Sequence, residues 1–330
     1  NHELDEVVYS SFTSSKHLIY HTTMRRCMST CHRLLSHENP LGLPRKGAPP
    51  TLPRAQRGLP QKRKIPHVNK IVAVSSAKGG VGKSTIAVNL ALAFTRHGLR
   101  TGILDTDIFG PSIPTLLGLS DAEEPLLTKD NRLVPLQSYG LKSMSMGYLL
   151  SSETAPVAWR GLMVMKALQQ LLHEVDWSPG LDVLVLDLPP GTGDVQLTIG
   201  QQVEVDGAVV VSTPQDVALK DAVRGVGMFG KMNIPVLGMV SNMSVFVCPK
   251  CGEETKVFAH DGGNGGVEAK TREMGIEFLG DVPLDANICR DADRGMPTIV
   301  SEEASGKRVN TIYYERIAEQ VAEKIGLPWK

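Results

Sequence analysis

Two groups of residues in this 330-residue chain have types and spacings that could do chemistry. The first is Cys248 and Cys251 in "SVFVCPKCGEETK", a spacing that lets one tight turn present both sulfurs to a single metal. A tetrahedral zinc or a four-iron cluster wants about four protein ligands. The chain has no second CxxC pair, so the other half comes from elsewhere or the site is not a metal site. The second group is "AKGGVGKST", residues 77–85. Around Val81, the residues Gly79, Gly80 and Gly82 let backbone N–H groups turn inward about phosphate oxygens, and Lys83 adds a mobile cation for the β and γ phosphates of ATP. Ser84 is placed to ligate Mg²⁺ and Thr85 to hold the α phosphate. Lys83 is expected to be a charge in a solvent-facing loop.

Such residues work only if strands and helices position them. "KIVAVSS" is a short apolar, β-branched run before the glycines, and "IAVNLALAFTRHG" after them has helical period with Gly98 as its stop. "RTGILDTD" reads as a second strand ending in Asp105 and Asp107; Asp105 could also be a cap. "LDVLVLDLPPGTGDVQ" is an apolar parallel-type strand ending in Asp187, the carboxylate expected to hold a Mg²⁺ water, while Asp194 reads as the N-cap of the next helix. The runs "GAVVVS", "PVLGMVSN" and "IEFLGDVP" alternate with helical stretches, the last being "RVNTIYYERIAEQVAEKIG". This rhythm predicts an α/β fold with a doubly wound, mostly parallel sheet.

Composition narrows the partners. A formal net charge of zero gives no reason to expect nucleic acid, and no apolar run is long enough for a transmembrane segment. Five cysteines at uneven spacing do not form a disulfide framework, which favours a reducing compartment. Residues 1–66 lack periodicity and are expected to be disordered or removed, leaving 67–330 as the folded domain. From Met24 to Lys64 there are ten Arg/Lys and one acid, Glu38, the composition of a mitochondrial presequence starting at Met24, although a basic disordered arm would look the same. Cys27 and Cys31 then have no role in the mature chain. Cys289, Met144, Met146, Met163 and Met165 are assigned to packing or surface, and "HDGGNGG" to a flexible loop.

The phosphate loop departs from the ordinary G-x-x-x-x-G-K-[ST] pattern, with Ala77 at its first glycine and an extra Lys78. "KGGVGKST" resembles the deviant P-loop of the MinD, ParA and nitrogenase iron protein group. That resemblance implies a nucleotide-sandwich dimer in which Lys78 reaches the partner's nucleotide. It also implies that Asp107 orients the attacking water, that Pro189–Gly191 begin the second switch, and that Asn242 and Pro283 contact adenine. With "DTDIFGPSIP", "WRGLMVMKAL", "LDLPPGTGDVQLT" and "SNMSVFVCPKCG", the likeness spans about residues 70–290 and is to the Mrp/NUBP family of iron–sulfur carrier ATPases. Within it the chain is most similar to the mitochondrial branch, to which the absence of the cytosolic members' N-terminal four-cysteine motif points together with the presequence-like composition. The resemblance implies a homodimer holding a [4Fe–4S] cluster on Cys248 and Cys251 of both copies. It further implies ATP-dependent delivery to apo iron–sulfur subunits of respiratory complex I in the mitochondrial matrix. Two other readings stay open: a zinc-binding P-loop ATPase, and a MinD-like membrane organiser. The latter needs a basic amphipathic C-terminal helix, whereas Ile317, Val321 and Ile325 here have Glu315, Glu319 and Glu323 nearby.

Overall fold

The computed structural model describes residues 62–149, 162–258 and 265–329. The region expected to carry a presequence, with Met24, Cys27 and Cys31, lies outside them, as does most of "HDGGNGG".

Nine strands among the described residues form one sheet. They are β1 (Val68–Ser75), β2 (Thr101–Asp105), β3 (Leu136–Ser138), β4 (Leu141–Met144), β5 (Leu181–Asp187), β6 (Gly207–Ser212), β7 (Val236–Val247), β8 (Glu254–Thr255) and β9 (Phe278–Leu284). The lateral order is β3-β4-β2-β5-β1-β6-β7, with β9 and β8 both on β7. Only β3–β4 and β7–β8 pair antiparallel. β1 lies between β5 and β6 and is buried from Ile71 to Ser75. Its alternate residues enter different layers: Val72 and Val74 one, Ile71 and Ala73 the other. A strand covered on both faces must be apolar at every position, which is why these strands read as runs and not as alternations.

The first layer contains α1 (Lys83–Arg96) and, at the far end of the chain, α9 (Thr311–Ile325), where Tyr314, Ile317 and Val321 pack in one cluster with Leu90 and Phe94. Burying each such side chain is worth about 1.5–3 kcal/mol, so the apolar face of the last helix is consumed inside the domain. The opposite layer holds α3 (Leu162–His173), α4 (Asp194–Gln202) and α5 (Asp216–Lys231). Between these come the short α2 (Ile113–Leu116), then α6 (Val267–Met274), α7 (Ala286–Asp293) and α8 (Thr298–Ser305). α1 stops as expected, since Gly98 takes φ 82° just beyond its last turn.

Three local readings change. The run "PVLGMVSN" does not end its strand at Asn242: β7 continues to Val247 through an irregularity where Met243 has φ 58°. Asp194 is not a cap: Gly193 is, and Asp194 sits in the first turn of α4, where its charge suits the helix dipole. The first described residues, expected outside the folded domain, are engaged with it: the Lys62 ammonium reaches the Met232 carbonyl at 2.7 Å, and Arg63 N–H bonds the Gln202 carbonyl at 2.8 Å. Ile65 is 2% exposed; one apolar residue among basic ones left no periodic signal.

Candidate functional site

The carboxyl ends of β1, β2 and β5 meet where the chain reverses direction across the sheet, the place where open α/β sheets bind ligands. The phosphate loop follows β1. Gly80 and Gly82 have φ 79° and 81°, left-handed values that turn the backbone around the space in front of α1. Gly82 is also the N-cap of α1, and a Cβ there would lie 2.2 Å from the Asn242 amide nitrogen. That amide donates to the Val81 carbonyl at 2.8 Å. Asn242 is thus a brace for the loop, with the donor end of its side chain engaged. Pro283, buried in β9, comes one residue after Val282, the register partner of Asn242.

Lys83 is not a solvent-facing charge. It is 7% exposed, and its ammonium donates to Asp187 Oδ1 at 2.5 Å and to Ser84 Oγ at 3.0 Å. Asp187 is fully buried, and its second oxygen, Oδ2, has no partner. An orphaned buried carboxylate oxygen beside the Ser84 hydroxyl suits a hydrated Mg²⁺, because a carboxylate and a hydroxyl are the oxygen donors such an ion takes. Lys78 points elsewhere, its ammonium 3.5 Å from Asp221 Oδ2 on α5, while Asp221 Oδ1 accepts from Arg224. Gly79 is exposed, and Thr85 is half-buried with its carbonyl accepting from Asn89.

Asp105 and Asp187 are register partners on β2 and β5. Burial first, and then the Asp187 charge, push the Asp105 carboxyl up to about 7. Its oxygens are fully occupied: Oδ1 accepts from Asp107 N–H at 3.0 Å, and Oδ2 from Ile113 N–H at 3.3 Å and from the Ser145 hydroxyl at 3.0 Å. Asp107, two residues on, is half-buried; burial raises its pKa while Lys83 opposes the rise. The loop after β5 is tied down as well, with Gly191 N–H on the Ser76 carbonyl at 2.9 Å and the Gln196 amide on the Pro189 carbonyl. Neither Ser145 nor Gln196 belongs to a motif; a serine ahead of a short turn, in "MSMGY", is the one local signal that Ser145 offers.

Cys248 and Cys251 lie on the turn between β7 and β8, with Gly252 N–H on the Cys248 carbonyl at 2.8 Å and Cys248 N–H on the Glu253 carbonyl at 2.9 Å. Both are free thiols. Backbone N–H groups of Cys251 and Lys250, with the Cys251 thiol, hold the Cys248 pKa below the usual thiol value. Among the described residues no group of three or more His, Cys, Asp or Glu side chains is placed to hold a metal. The two thiols stand as a pair. Cys289 is remote in sequence and exposed, its sulfur 3.9 Å from Asp293. No helix among the described residues is long and apolar enough to cross a membrane.

Comparison with known proteins places these features in a family. The model of the ParA-type "NUBPL iron-transfer P-loop NTPase" matches residues 67–322. The chain is 51% identical over 261 residues to the iron-sulfur cluster transfer protein NUBPL of Dictyostelium discoideum, covering 79% of this chain and 78% of that one. Against the Mus musculus protein of the same name the identity is 48% over 271 residues, covering 82% of each. An Arabidopsis thaliana relative named "Iron-sulfur protein required for NADH dehydrogenase, mitochondrial" is 44% identical over 257 residues, 78% of this chain and 79% of that one. Among solved structures, a nucleotide-binding protein from Archaeoglobus fulgidus in complex with ADP matches with TM-score 0.62 and 35% identity, covering 74% of this chain and 91% of that one. MinD from Pyrococcus horikoshii with Mg-ADP matches at TM-score 0.55 and 19% identity, covering 78% and 98%, a likeness of fold alone.

Proposed function

The chain belongs to the NUBPL iron-transfer P-loop NTPase family, and from that premise we propose that it is an ATP-dependent carrier that holds a [4Fe–4S] cluster between two copies of itself. Its recipients are apo iron–sulfur subunits of respiratory complex I in the mitochondrial matrix. The observation that carries this reading is the arrangement of β7. One strand braces the phosphate loop through Asn242 and leads directly into the turn that carries two free thiols, Cys248 and Cys251. A second copy related by a two-fold axis supplies the other two thiolates at the same stroke. The basic composition of residues 24–64 and the name of the Arabidopsis relative support the compartment and the recipient.

ATP hydrolysis follows from the site residues. On nucleotide entry Lys83 exchanges Asp187 for the β and γ phosphates, while the loop N–H groups and Thr85 hold the remaining oxygens. Ser84 and Asp187 would hold Mg²⁺, which supplies charge neutralisation on the phosphates. Asp107 orients the attacking water, and Lys78 leaves Asp221 to meet the partner's phosphate. Pro283, beside Asn242, forms part of the wall for the base. The membrane-organiser reading loses its main requirement, since the apolar face of α9 packs on α1.

Anaerobic reconstitution with iron and sulfide, followed by metal analysis and mass determination, tests the proposal. About two iron atoms per chain, eluting with a dimer, are expected, half of the four in a cubane. One zinc per dimer and no iron under these conditions would replace the cluster reading with the zinc one.

A further inference from the structure

A buried serine outside every recognised motif occupies a position that the hydrolytic loop depends on. Ser145 is 0% exposed, directly follows β4 and caps the turn that comes next. Its Oγ accepts the Gly147 N–H at 3.0 Å, and an amide can only donate. The one hydroxyl hydrogen is therefore available to Asp105 Oδ2, 3.0 Å away. Asp105 in turn fastens both ends of the segment that carries Asp107: it accepts Asp107 N–H on one oxygen and Ile113 N–H on the other. The turn that Ser145 caps, Met146–Tyr148, is also the floor of this segment. A Cβ on Gly147 would come within 2.7 Å of Pro114 and 3.2 Å of Pro111. Next to it the Tyr148 hydroxyl is 2.8 Å from Ser143 Oγ, so the floor is itself pinned to β4.

We propose that Ser145 is a positioning residue for ATP hydrolysis, holding the Asp105 carboxylate in the one orientation that fixes residues 107–113 and so sets where Asp107 stands. The consequence for catalysis rests on Asp107 as the water-orienting group; the anchoring of the loop does not. Without the hydroxyl, Asp105 Oδ2 keeps only the longer 3.3 Å bond to Ile113, and the carboxylate can swing between its two backbone donors. A small misplacement of a catalytic group lowers turnover far more than it lowers binding. The nucleotide contacts come from the loop after β1 and are untouched.

Four proteins decide the matter: wild type, Ser145→Ala, Asp107→Asn and the double variant, each checked for folding by thermal melting. Ser145→Ala is expected to lower kcat about tenfold or more with the Kd for ATP unchanged, and to have no further effect on the residual rate of Asp107→Asn. Amide hydrogen exchange should show faster exchange at Asp107 and Ile113 in Ser145→Ala, with amides of β5 unchanged. Full kcat and unaltered exchange in a folded Ser145→Ala would overturn the proposal, as would loss of ATP affinity in step with kcat. Wild-type kcat in Asp107→Asn would instead remove the role given to Asp107, and the exchange data would then decide the anchoring by themselves.

Discussion

The side-chain amide of Asn242 donates to the backbone carbonyl of Val81 at 2.8 Å, in a position that is 7% exposed. Through its amide nitrogen, Asn242 braces the phosphate loop. Asn242→Ala removes one buried hydrogen bond, about 0.5–1.5 kcal/mol of stability, and loosens the loop, so ATP binding should weaken. Asn242→Asp should be worse than Asn242→Ala, because an acceptor then faces the Val81 carbonyl. Isothermal titration with ATP gives the order directly, and equal affinity in both variants would deny the brace.

The two lysines of the loop should separate in stability as well as in activity. Lys83→Met removes the cation paired with fully buried Asp187, next to Asp105, and breaking such a pair costs about 3–5 kcal/mol. Lys83→Met/Asp187→Asn should recover most of that loss in urea unfolding, and neither protein should bind ATP. Lys78 pairs with Asp221 at a side-chain exposure of 40% and 22%, so Lys78→Ala should change stability by less than about 1 kcal/mol. It should bind ATP and fail to hydrolyse it. Equal loss of ATP binding in both lysine variants would contradict the partner-facing role of Lys78.

Asp105 predicts a pH dependence of the nucleotide-free, Mg²⁺-free protein. Its pKa is raised from 3.8 to about 7 in the fold, by burial and then by Asp187. The folded state therefore holds this proton more tightly than the unfolded chain, and stability contributed by the group falls as pH rises from about 4 to about 7. Asp105→Asn, which cannot ionise, should flatten the melting-temperature profile across that window. Parallel profiles for the two proteins would show that the carboxyl is not the group responsible.

Cys248 should react first. Its thiolate is favoured by the N–H groups of Cys251 and Lys250, so limited iodoacetamide at neutral pH on the metal-free, reduced protein should label Cys248 ahead of Cys251 and Cys289. Peptide mapping reads the order, and preferential labelling of Cys289 would count against a preformed thiolate turn.

Much of this site was legible because its parts are contiguous. "KGGVGKST" follows a strand and opens a helix in a few residues, and the apolar run to Asp187 announces its own end. What was not legible depends on strand order. Lys83 is buried because β5 inserts beside β1 and brings Asp187 to it from 104 residues away. Ser145 matters because β4 lies on β2, forty residues along the chain from Asp105. The strand that holds Asn242 is irregular at Met243, and its pairing with β8 and β9 carries it on to Val247, just before the cysteines. Local propensity has no access to such register.

The 2.2 Å approach between a Cβ at Gly82 and the Asn242 amide ties two distant positions into one evolutionary unit. At φ 81° an alanine at 82 is disfavoured on its own account, and beside Asn242 it has no room. A lineage that lost the glycine would first have to shorten residue 242, giving up the brace before gaining anything. Both intermediates are worse than the starting point, so the pair should persist together through drift that rewrites its surroundings.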